Sequence, residues 1–84
     1  MWPMNPITTP AQLGRNIAAR RKALHLSQQQ LAIQLGISQN RLSELEAHPE
    51  TLTLERLLAL LNLLNLELAV RERPTSPGAR GIEW

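Results

Sequence analysis

The sequence predicts an all-α bundle of four short helices followed by one short β-strand. Three observations carry that expectation. Thr9, Ser27, Ser38 and Thr53 each stand just ahead of apolar residues spaced three and four apart, the mark of a capped amphipathic helix. Gly36 and Pro49 punctuate the chain where such helices should end. Only one segment, Leu66–Val70, alternates apolar and charged or small residues with the period of a strand. The composition agrees with a small core. The chain has 84 residues, 43% apolar and 19% charged, enough for one domain. It has no Phe, Tyr or Cys, and 17 leucines, so the core is aliphatic and no disulfide supports it. A core of this size usually needs a staple, and oligomerisation is the one left.

The first helix opens at Thr9-Pro10-Ala11-Gln12, with Thr as cap, Pro at the first helical position and Gln completing a capping box. Leu13, Ile17 and Leu24, with Ala18 beside them, mark its expected buried stripe. Arg15, Arg21 and Lys22 are expected off that stripe. A second box, Ser27 with Gln30, opens helix 2, which carries Leu31, Ala32 and Leu35 and ends at Gly36. Ser38 caps helix 3, which holds Leu42 and Leu45 and stops before Pro49. Thr53 caps helix 4. There Leu54, Leu57, Leu58 and Leu61 form one stripe, and Leu60, Leu63 and Leu64 extend it around the helix. A helix apolar on most sides is buried on most sides, so a partner subunit is expected on the second face. The strand at residues 66–73 has no companion in the chain and is expected to pair with its own copy across a two-fold axis. The alternative is a frayed continuation of helix 4. These divisions give an N-terminal arm (1–8), a helical domain (9–65), a dimerisation strand (66–73) and a Gly- and Pro-rich tail (74–84).

Residues 28–45 fit a helix-turn-helix. With Gln28 as position one, Leu31, Ala32, Leu35, Gly36, Ile37, Leu42 and Leu45 fall at positions 4, 5, 8, 9, 10, 15 and 18. Ala32 must be small because the second helix crosses close to it, and Gly36 allows a left-handed turn. The larger residues form the wedge between the two helices. Such a motif places the N-terminal residues of its second helix on base edges in the major groove. The expected DNA-binding residues are therefore Ser38, Gln39, Asn40, Arg41 and Ser43, together with Gln28 and Gln29 at the N-terminus of helix 2, where donors meet a phosphate. Charge agrees. Residues 1–43 hold five bases and no acid, whereas residues 44–84 hold four arginines against seven glutamates. Arg20, Arg21 and Lys22 on helix 1 are expected near the DNA backbone.

Residues 11–65 resemble the lambda-repressor-like domains of the xenobiotic-response-element type, and the whole chain is similar to antitoxins of the HipB type. The likeness rests on Thr9-Pro10-Ala11-Gln12-Leu13, Leu31-Ala32, Gly36-Ile37, Gln39 and Ser43. Thr51–Leu54, the Leu66–Val70 strand and the terminal Glu83-Trp84 extend it. The resemblance implies a lambda-repressor-like fold whose strands, through Leu66, Leu68 and Val70, pair as a lid across a homodimer. It implies palindromic double-stranded operator DNA and a HipA-type Ser/Thr kinase toxin as partners, with Ile82 and Trp84 contacting the toxin. Ser38 and Asn40 depart from that pattern, so the operator sequence is not carried over.

Other chemistry is not expected. His25 and His48 lie near helix ends with no third ligand, so no metal or other cofactor is implied. No triad or nucleophile loop appears, which points away from an enzyme. The first ten residues hold three prolines and no apolar run, unlike a signal peptide, and the Leu57–Leu66 stretch is too short to span a bilayer. A cytoplasmic, nucleoid-associated protein with no membrane partner is the expectation. A stand-alone phage or metabolic repressor is the alternative function, and an interaction module that no longer binds DNA is a third.

Overall fold

The computed structural model describes residues 6–73. It contains α1 (Pro10–Ala23), α2 (Gln28–Leu35), α3 (Gln39–Ala47), a 3₁₀ turn (Pro49–Thr51) and α4 (Leu54–Leu63). Every helix begins where a side chain can satisfy an orphan backbone donor. Thr9 and Ser27 form complete capping boxes with Gln12 and Gln30. The Ser38 hydroxyl accepts from the Arg41 amide at 3.0 Å, and that of Thr53 from the Arg56 amide at 3.1 Å.

Three helix ends share one device. The residues His25, Gly36 and Asn65 adopt φ of 59°, 77° and 56°. The next residue in each case folds its N–H back: Leu26 to the Arg21 carbonyl, Ile37 to that of Ala32 and Leu66 to that of Leu61. This is the Schellman arrangement, and it drives the following apolar side chain onto the core. Leu26, Ile37 and Leu66 all pack there. Gly36 adopts this conformation at little cost, whereas His25 carries a Cβ where L-residues are disfavoured. His25→Gly should therefore raise stability by about 0.5–1 kcal/mol, read as a higher urea midpoint at unchanged slope.

The core is Ile17, Leu31, Ala32, Leu42, Leu60 and Leu64, fully buried and drawn from all four helices, with Leu13, Leu35, Leu52 and Leu57 packed around it. Two sequence expectations change. On α1 the buried residues are Gly14, Ile17 and Arg21, while Leu24, placed on the stripe by spacing, follows the helix end and is 37% exposed. On α4 the inward face is Leu57, Leu60, Leu61 and Leu64, and Leu54 and Leu58 lie outside it, 63% and 41% exposed.

Gly14 brings α1 against the backbone of α3. A Cβ there would collide with the Glu46 carbonyl oxygen and would stand 3.3 Å from Cγ of Pro49. Alanine normally improves a helix interior by ~0.5–1 kcal/mol over glycine. Here Gly14→Ala should instead destabilise by about 1–3 kcal/mol, because backbone must move to admit it; thermal melting reads the sign directly.

α4 ends at Leu63 and the chain turns at Leu64 and Asn65, so residues 66–73 are not a continuation of α4. They have no regular secondary structure, and there is no β-strand among the described residues. A strand is defined by its hydrogen-bonded neighbour, and the described residues supply none.

Candidate nucleic-acid interface

The two-helix unit sits on a polar anchor as well as on its apolar wedge. Arg21, only 8% exposed, reaches from α1 to the end of α3. Its Nε donates to Glu46 Oε2 at 2.8 Å, its Nη2 to Glu46 Oε1 at 3.3 Å and its Nη1 to the Leu26 carbonyl at 2.9 Å. Gln28 Nε2 donates to the same Glu46 Oε1 at 3.1 Å. One carboxylate thus ties α1, the N-terminus of α2 and the C-terminal turn of α3 together. No buried side-chain polar atom among the described residues lacks a partner.

This network revises the expected roles of the helix 1 cations. Arg21 is an internal strut and not a surface base. Arg20 donates from Nε to the Leu64 carbonyl at 3.0 Å, closing the C-terminus of α4. Of the three, Lys22 is the exposed one. The expected base-reading residues fare differently. Ser38, Gln39, Asn40, Arg41 and Ser43 are all exposed along α3, which buries Leu42 and Leu45. Gln29 is exposed as well, and Gln28 is half-buried with its amide held by Glu46. The backbone N–H groups of Gln28 and Gln29 open α2, where a helix has no internal acceptor to offer. Leu66 packs on this chain's own core, whereas Leu68 and Val70 are 50% and 95% exposed. Ile82 and Trp84 lie outside the described residues.

The sequence reading missed Gly14 and the Arg21–Glu46 pair. Gly14, Ile17 and Arg21 stand three and four apart on one helix, and Leu42 stands three and four residues before Leu45 and Glu46 on another, but that spacing alone does not say that the two faces meet.

The Helix-turn-helix family profile matches residues 17–70 of the chain. The chain belongs to that family. Its helix-turn-helix is a DNA-binding domain, and the protein reads as a regulator. No curated protein matches the sequence closely enough to report. Among solved structures, a chain of "Structure of HipA-HipB-O2-O3 complex" superposes with a TM-score of 0.76 at 27% identity, over 84% of this chain and 100% of that one. A chain of "MDT Protein" does so with a TM-score of 0.75, also at 27% identity and with the same coverage. The chain is thus HipB-like in fold. No described helix is long and apolar enough to cross a membrane. No group of three or more His, Cys, Asp or Glu among the described residues could hold a metal ion.

Proposed function

We propose that the protein is a sequence-specific DNA-binding antitoxin that represses its own HipBA-type operon and binds a HipA-type kinase toxin. The observation that carries this is the extent of the likeness. It takes in the whole of a chain from a HipA–HipB complex, not the helix-turn-helix alone. In this reading α3 enters the major groove, with Gln39 and Asn40 facing adenines and Ser38, Arg41 and Ser43 beside them. Gln28 and Gln29 hold a phosphate at the start of α2. Two copies join through residues 66–73, where Leu68 and Val70 are the apolar side chains left bare, and Leu66 anchors the segment to each core. The tail reaches the toxin through Ile82 and Trp84, since Trp is enriched among the residues that anchor protein interfaces.

Two assays on the full chain and on a chain lacking residues 82–84 test this. Both proteins should shift their own promoter DNA in a gel, with affinity falling steeply as salt rises. The full chain alone should bind and neutralise the kinase encoded beside it. Equal neutralisation by the shortened chain would remove Ile82 and Trp84 from the toxin interface. Promoter binding with no kinase partner would leave a stand-alone repressor, and no promoter binding would leave an interaction module.

A further inference from the structure

The outer face of α3 carries a carboxylate. Asn40, Ser43, Glu44 and Ala47 are all exposed and lie at the spacing of one helix face, turned away from Leu42 and Leu45. Ser43 and Ala47 are small, so the helix backbone can come close to whatever this face meets. Glu44 keeps 66% of its side chain exposed, and its ion pair is with Arg41 Nη1 at 3.7 Å. An exposed pair at that distance is weak, so the carboxylate can leave it. Against a polyanion a negative charge at the middle of the face is a penalty, unless it meets a donor.

The base edges of the major groove offer few. Guanine shows N7 and O6, both acceptors, and thymine shows the O4 acceptor and a methyl group. Adenine pairs its N6 donor with the N7 acceptor, which suits a carboxamide and repels an ionised carboxylate. Cytosine shows a lone N4 donor. We infer that Glu44 reads cytosine, accepting a hydrogen bond from N4 one helical turn along α3 from Asn40. Four residues advance a helix ~6 Å, close to two base-pair steps of ~3.4 Å. The half-site therefore holds a C·G pair about two steps from the base that Asn40 meets. This rests on the DNA-binding reading above, which does not itself assign any base to Glu44.

Selection from a randomised duplex library with the full-length protein, Glu44→Gln and Glu44→Ala tests it. The unaltered protein should select cytosine at one position per half-site. Glu44→Gln should trade it for adenine at that position, by roughly tenfold in relative affinity, and Glu44→Ala should lose preference there alone. Glu44 is exposed, so all three proteins should melt alike. Identical base preferences in all three at every position would overturn the assignment while leaving the DNA-binding reading intact. An unaltered protein that selects no sequence at all would overturn both.

Discussion

Urea denaturation of Glu46→Ala should show a loss of about 3–5 kcal/mol, the cost of breaking a buried ion pair from one side. Each side chain of the Arg21–Glu46 pair is less than a tenth exposed, so water cannot take over from the missing partner. Truncation strands a guanidinium whose Nε and Nη2 both point at the lost carboxylate, and leaves the Gln28 amide without its acceptor. A domain of this length has ~4–12 kcal/mol of stability in all. The loss is a large share of that total, so the variant's urea midpoint should fall well below the parent's. The pair's net worth is a separate matter, because two charges were desolvated to make it. Replacing both partners, Arg21→Met with Glu46→Leu, should recover most of the loss. A single variant within ~0.5 kcal/mol of the parent would show that the pair holds nothing, and the helix-turn-helix would then rest on its apolar wedge alone.

What made the helices legible is that their signals are local. A Ser or Thr cap, the Gln three residues on and the Gly at a left-handed end all act within one turn, so Thr9, Ser27, Gly36, Ser38 and Thr53 can be read without knowing what packs where. Ala32, Leu31 and Leu42 were legible because the crossing of two adjacent helices fixes their spacing. Arg21 and Gly14 were not, because their environment is made by α3, more than twenty residues away in the chain. Arginine is rarely buried unless paired, and composition alone places it outside. His25 hid for another reason. Its left-handed conformation is imposed by the need to bring Leu26 onto the core, which overrides the residue's own preference. The strand remains a matter of assembly: alternation at residues 66–70 states which side chains share a face, and only a neighbouring backbone turns that into a sheet.

Val70→Arg should abolish self-association and weaken promoter binding by about a hundredfold or more, the avidity lost when two half-sites are no longer held by one body. Within a single chain the substitution is nearly free, since Val70 is 95% exposed and surface changes of that kind stay within ~0.5 kcal/mol. That contrast gives the experiment its force. If the residue touches nothing, melting, association and DNA binding should all be unmoved. If a second copy covers it, a buried guanidinium with no partner disfavours the assembled state while the separate chain keeps its fold. Leu54, Leu58, Leu68 and Val70 are all exposed in the single chain, apolar side chains that a core of this size would otherwise have used. Sedimentation of the variant and the parent over a range of concentrations separates the outcomes, because the stability of an associating protein rises with concentration and that of a monomer does not. A variant that sediments as a dimer with unchanged promoter affinity would remove residues 66–73 from the interface and leave α4, through Leu54 and Leu58, as the surface to alter next.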